Sequence, residues 1–175
     1  YQTSYSRDRQ NNTTNIVYPN ASEAQFVYGL GGLINQINRK NSGGTYVPVV
    51  TNVDYSPLNQ PTLISLYNGV NVQKTYDQTK MYRLANIFSQ KSGGQHIQNI
   101  SYAYDGVNNI TGIADNSVNA TRKLATYIYD DLYRLGSANI TNTDPFSGNY
   151  SETYTYSPIG NILTKSGTQY TYSGS

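Results

Sequence analysis

The chain has 175 residues, a formal net charge of +2 and only 13% charged residues, about half the usual share. So little Glu, Lys and Arg argues against helix-rich and coiled-coil architectures. The 12 basic and 10 acidic residues leave no electrostatic footprint for nucleic acid. Asn (21), Tyr (19), Thr (18), Ser (17) and Gly (15) make up more than half the sequence. Strand-forming Tyr, Thr, Ile and Val alternate with turn-forming Gly, Asn and Ser, so the composition predicts an all-β fold with many tight turns. Cysteine is absent, which removes disulfides, thiol catalysis and Cys-ligated metal. No run of 18 apolar residues predicts a membrane-spanning helix.

In chain order, Tyr1-Gln2-Thr3-Ser4-Tyr5 has neither an initiating Met nor an apolar leader, so the chain reads as processed or as part of a longer polypeptide. Residues 1–25 read as lead-in strands and 26–175 as repeats, within one β region spanning 1–175. Phe26-Val27-Tyr28 runs into Gly29-Leu30-Gly31-Gly32-Leu33, whose glycines disfavour a helix over Ser22–Leu33. Tyr55 leads Ser56-Pro57-Leu58-Asn59-Gln60-Pro61, and Tyr76-Asp77 leads to Tyr82-Arg83-Leu84. His96, the single histidine, lies in a loop composition ahead of a strand at Ile97–Tyr104. The clearest copies are Tyr102-Ala103-Tyr104-Asp105 running to Ile110, Tyr127-Ile128-Tyr129-Asp130 running to Arg134-Leu135, and Tyr154-Thr155-Tyr156-Ser157 running to Gly160-Asn161-Ile162. A seventh begins at Tyr170-Thr171-Tyr172. The anchoring tyrosines at 28, 55, 76, 104, 129 and 156 recur every 21 to 28 residues, the signature of a repeat architecture.

Tyr-x-Tyr places two rings on one strand face and turns Ala103, Ile128 or Thr155 to the other. Asp105, Asp130 and Ser157 are predicted to open turns by accepting backbone N–H groups two residues on, and Asn108 or Gly160 to take positive φ. Each unit is then about one hairpin, followed by looser polar connections over 113–122 and 137–152. Such hairpins must stack to be stable.

These copies resemble the YD repeats of the Rhs family, whose pattern is roughly Tyr-x-Tyr-Asp-x-x-Gly-Arg-Leu or Gly-Asn-Ile. The family takes in Rhs polymorphic toxins, the C component of toxin complexes, wall-associated proteins and teneurins. The resemblance implies a spiralling sheet that builds a shell, tube or fibre wall, enclosing an effector in toxin members, outside the cell or on its surface. Arg83 and Arg134 fall where the family's arginine stands; they are expected to stack on a neighbouring repeat's tyrosine or pair with its Asp.

No catalytic residue, cofactor site or metal site is predicted. One histidine cannot build a multi-His site, and the recurring acids are explained as turn formers. Asp144-Pro145-Phe146-Ser147-Gly148 is similar to the Asp-Pro signature at which Rhs shells release cargo, but it lies between repeats and reads as a turn. Asn-x-Ser/Thr acceptors stand at Asn11, Asn12, Asn20, Asn99, Asn109, Asn119, Asn139 and Asn149; if glycosylated, the connection sites Asn119, Asn139 and Asn149 have most room. Expected partners are adjoining repeats or a second copy adding its strand head to tail, and an enclosed effector or surface glycans. The alternative to a structural wall is an adhesion or carbohydrate-binding module that uses exposed tyrosines.

Overall fold

The computed structural model describes residues 1–94, 96–118, 121–143 and 148–172. Among the described residues the fold is all-β: fifteen strands hydrogen-bonded in chain order form one open sheet, with one 3-10 turn at Gln78–Lys80. The repeated antiparallel hairpins predicted from the Tyr-x-Tyr pattern are present. No helix is long and apolar enough to cross a membrane among the described residues.

Contacts divide the chain into two units. The first, residues 1–75 with 88–95, holds β1 (Ser4–Arg7), β2 (Thr13–Val17), β3 (Glu23–Tyr28), β4 (Ile34–Lys40), β5 (Val47–Tyr55), β6 (Pro61–Leu66), most of β7 (Val70–Asp77) and the end of β8 (Arg83–Lys91). The second, residues 76–87 with 96–175, holds the start of β8, then β9 (His96–Tyr104), β10 (Ile110–Val118), β11 (Thr121–Tyr129), β12 (Leu135–Asn142), β13 (Tyr150–Tyr156), β14 (Ile162–Lys165) and β15 (Thr168–Gln169).

The strands run further than the sequence predicts. The looser connections expected over 113–122 and 137–152 are largely β10, β11, β12 and β13. Polar residues such as Ser117, Ser137 and Asn139 lie within them. The physical reason is the absence of a thick core. Among the described residues only Val50, Val53, Ala138 and Ser89 are buried, and no side chain falls below 2% exposure. A sheet that stays half wet tolerates polar side chains throughout its strands, so polarity does not mark their ends.

One turn recurs after most of the Tyr-bearing strands. At Asp8, Gly29, Ser56, Asp130 and Ser157 the first residue's N–H donates to the carbonyl four residues on, and the fourth residue's N–H donates back to the first carbonyl. Where the opener is Asp or Ser, its side chain also takes backbone N–H groups. Asp130 Oδ1 accepts from Leu132 at 3.0 Å and Arg134 at 2.9 Å, and Asp105 Oδ1 from Val107 at 3.0 Å and Asn109 at 2.9 Å. The fourth residue is left-handed, at Asn108 (φ 81°), Gly160 (φ 92°) and also Tyr133 (φ 61°). The left-handed well costs a Cβ-bearing residue energy, and at Tyr133 this cost is met by the Asp130 bonds on either side.

Just beyond each turn the register slips by one. Tyr129 opposes Leu135, whereas Ile128 opposes Ser137, leaving Gly136 as a bulge. The same slip separates Tyr156–Ile162 from Thr155–Thr164 and Tyr28–Ile34 from Val27–Gln36. A bulge re-aims the side chains beside it, and in these three the neighbour is the anchoring tyrosine.

Candidate functional site: a latch between hairpins

The bulge and the turn bring the second tyrosine of each motif onto the hairpin before it. Tyr104 Oη donates to the Leu84 carbonyl at 3.0 Å, Tyr129 to Ile110 at 2.8 Å and Tyr156 to Leu135 at 2.9 Å. In the first unit Tyr28 donates to Thr13 at 2.8 Å and Tyr55 to Ile34 at 2.6 Å, and Tyr172 donates to Ile162 at 2.9 Å. The acceptor lies at the start of the preceding strand, on the residue by which that hairpin re-enters the sheet. Burial pushes the Tyr55, Tyr104 and Tyr129 hydroxyls above the usual phenol range, as expected of donors held away from water.

Two arginines return the contact. Arg134 Nη1 donates to the Ser157 carbonyl at 3.0 Å, and its guanidinium lies 4.6 Å from the centre of the Tyr156 ring. Arg83 Nη1 donates to the Asp105 carbonyl at 2.7 Å, 5.5 Å from the Tyr104 ring centre. Each pair is a reciprocal latch: tyrosine hydroxyl to the carbonyl of one hairpin, guanidinium to the turn carbonyl of the next. The two differ at Nε. Arg134 Nε meets Asp130 Oδ2 at 2.7 Å, while Arg83 Nε is buried without a partner. The turn after Asp77 is two residues longer, and Asp77 Oδ1 is taken by the Thr79 N–H at 2.9 Å and hydroxyl at 2.6 Å.

The remaining predicted residues fall around this latch. Tyr102, Tyr127 and Tyr154 are half-buried on the same face as the latch tyrosines, and Ala103, Ile128 and Thr155 are exposed. Tyr76 is the penultimate residue of β7, its hydroxyl pushed up by burial. Tyr170 follows β15, its N–H donating to Leu163. His96 opens β9 and is exposed. Hydrogen bonds from the backbone and guanidinium of Arg134 hold the Asp130 carboxyl below its usual range. At Asp105 burial pulls upward, but the bonds from Asn109 and Val107 win and the carboxyl titrates low.

Among the sequons, Asn11, Asn20 and Asn149 are exposed. Asn12 and Asn109 donate their amides to Asp8 and Asp105 at 3.0 and 2.9 Å. Asn99 is half-buried against Asn86. Asn139, expected in a connection, lies within β12 and accepts from Ser151 Oγ at 2.6 Å. Asn119 and Asp144–Ser147 lie outside the described residues.

Two clusters have no counterpart in the motif. Glu23 binds Lys40 Nζ at 2.6 Å and accepts from Asn15 and the Tyr46 hydroxyl, with Lys40 4.9 Å from the Tyr46 ring centre. Glu152 binds Lys165 Nζ at 2.9 Å and accepts from the Tyr154 hydroxyl, with Lys165 5.9 Å from that ring centre. Both carboxyls are drawn down to about 2, Glu23 chiefly by Lys40 and Glu152 chiefly by Tyr150. A depressed folded pKa stabilises above the unfolded value, and the benefit is lost as pH falls through the folded value. The thermal midpoint should therefore drop between about pH 4.5 and 2. The double variant Glu23→Gln, Glu152→Gln should flatten that drop in a pH series of melts, and an unchanged slope would refute this assignment.

No family model matches the chain. The chain is 30% identical over 173 residues to the toxin subunit YenC1 of Yersinia entomophaga, covering 91% of itself and 18% of that subunit. It superposes on a chain of the Tc holotoxin pore of Photorhabdus luminescens with a TM-score of 0.80 at 22% identity, over 93% of itself and 9% of that chain. On a TcdB2–TccC3 structure the TM-score is 0.81 at 21% identity, over 96% and 10%. The chain thus spans less than a fifth of the relatives it matches. By sequence it is a homologue of YenC1, and by fold it matches Tc toxin chains, consistent with its resemblance to the YD repeats of the Rhs family.

Proposed function

We propose that the chain is a stretch of wall in an Rhs-type shell of the YD-repeat family, standing outside the cell and surrounding an effector. The latch is the observation that carries this reading. Each hairpin is completed by a hydroxyl or guanidinium from the next, so stability accrues by adding neighbours along one line. A sheet so thinly cored gains little by closing on itself and much by continuing. The partners of such a wall are further repeats, in the same chain or another, adding strand by strand. The homology to YenC1 supports the same reading. The wall needs no catalytic residue, and we assign none.

The adhesion alternative requires rings free to stack on sugars. The Tyr154 hydroxyl is held by Glu152, and Lys165 lies over its ring, so this ring is engaged within the sheet. Electron microscopy of the protein made from its complete gene should show hollow particles. Solid particles, together with oligosaccharide binding abolished by Tyr102→Ala or Tyr154→Ala, would replace the shell with the adhesion module.

A further inference from the structure

Of the latches at Tyr104, Tyr129 and Tyr156, two hold an arginine and one does not. Each arginine stands one residue before the carbonyl that the tyrosine hydroxyl meets, Arg83 before Leu84 and Arg134 before Leu135. Before Ile110, which Tyr129 meets, that position is Asn109. Its amide turns back onto Asp105 Oδ2 at 2.9 Å, inside its own turn. A cleft of about 430 Å³ opens where the guanidinium would lie, lined by Asn109, Tyr129, Asp130, Asp105, Asp131 and Tyr133 among others, with no Lys or Arg in its walls. The corresponding cleft at Tyr104 is about 340 Å³ and has Arg83 in its wall.

The groups that receive Arg134 at Tyr156 recur at Tyr129. The Ser157 carbonyl accepts the Gly160 N–H at 3.0 Å and still takes Arg134 Nη1 at 3.0 Å. The Asp130 carbonyl accepts the Tyr133 N–H at 2.8 Å and has a second lone pair to offer. The charge is negative. Asp130 is paired with Arg134, but the Asp105 carboxylate accepts the Val107 and Asn109 N–H groups and the Asn109 amide, none of them charged, and Asp131 is exposed. Burial raises the Tyr129 hydroxyl first and the charges of Tyr127 and Asp105 add to it, whereas at Tyr104 the charge of Arg83 works the other way. Asparagine alone does not make such a site. Asn12 stands just before Thr13, which Tyr28 meets, but the Gly29-Leu30-Gly31-Gly32 turn that follows Tyr28 carries no carboxylate.

We propose that this cleft binds the guanidinium of an arginine side chain carried by a partner protein segment, seated on the Tyr129 ring and donating to the Asp130 carbonyl, with Asp105 and Asp131 supplying the opposite charge. The ligand takes the place that Arg83 and Arg134 fill from within the chain at the two neighbouring latches. Arginine is favoured over lysine because a planar fork stacks on a ring and donates to a carbonyl at once, as Arg134 does, whereas an ammonium is a point charge. The site rests on the latch geometry and stands whether or not the chain forms a shell.

The test is a titration of the isotopically labelled 175-residue chain, made in a host that adds no glycan at Asn109, with Nα-acetyl-arginine amide at low salt, followed by amide chemical shifts. Saturable shifts centred on Asn109, Asp130 and Asp131 are expected, with a dissociation constant of about 1 to 10 mM for this single side chain. Nα-acetyl-lysine amide should bind about fivefold more weakly. Asp131→Asn should weaken the arginine probe about threefold, since it removes one exposed charge. Asn109→Arg supplies the guanidinium from within the chain, as Arg134 does, and should abolish binding while raising the urea midpoint. Shifts spread over all surface carboxylates, lysine binding as tightly as arginine, or binding undiminished in both variants would each overturn the proposal. Should Asn109→Arg fail to fold, the lysine comparison and Asp131→Asn still decide it.

Discussion

Tyr156→Ala is expected to lower the unfolding free energy by about 3 kcal/mol, measured by urea denaturation at neutral pH. The variant loses a half-buried ring, the hydroxyl bond to the Leu135 carbonyl and the surface on which Arg134 lies. Tyr156→Phe keeps the ring and the arginine contact and removes only the hydroxyl, so about 1 kcal/mol is expected. Arg134→Ala and Tyr156→Ala should be non-additive, because each destroys part of the same latch; a coupling of about 1 kcal/mol is expected in the double-mutant cycle. Tyr129→Ala provides the comparison. Its hydroxyl reaches Ile110 at 2.8 Å, but Asn109 stands where the latch arginine would be, so its loss should be smaller by about 1 kcal/mol. Equal costs at Tyr156 and Tyr129, or additive losses at Arg134 and Tyr156, would show that the guanidinium contributes nothing to the latch.

The turn was the most legible element in the sequence because its chemistry is local. Asp105, Asp130 and Ser157 act within four residues of themselves, so spacing alone identifies their partners. The latch is only half local. Tyr-x-Tyr reveals a shared face, but the Leu135 carbonyl lies 21 residues from Tyr156, and a bulge at each turn decides which carbonyl the hydroxyl meets. A period of two in the sequence does not disclose a bulge. The strand lengths were hidden for another reason. In β10, Ser117 donates its N–H to Asp115 Oδ1 at 2.9 Å, and in β12, Asn139 is bonded across to Ser151. These polar residues satisfy each other within the sheet, which removes the apolar alternation by which strands are recognised. The Glu23 and Glu152 clusters depend on cross-strand register, and Glu23 opposite Lys40 has no signature in either segment read alone.

A one-residue displacement along β5 should separate the two faces of the first unit. Val53 is 9% exposed and stands opposite Ile64, with Val50 equally covered opposite Leu66. Its neighbour Asp54 is exposed and faces the other way, as period-two geometry requires. Val53→Asp places a carboxylate where no cation is paired with it, and a cost of about 4 kcal/mol is expected. Val53→Ala, which removes only methyl groups, should cost about 2 kcal/mol. Asp54→Ala should fall within about 0.5 kcal/mol of the parent. Burial raises the folded pKa of the introduced acid, so the destabilisation should grow as pH rises through the unfolded carboxylate range and shrink below it. The difference between Val53→Asp and Val53→Ala, followed by urea titration at low and neutral pH, isolates that charge. Equal sensitivity at 53 and 54, with no dependence on pH, would mean that neither face of β5 is closed to water and that the hydrogen-bonded latch alone holds the first unit.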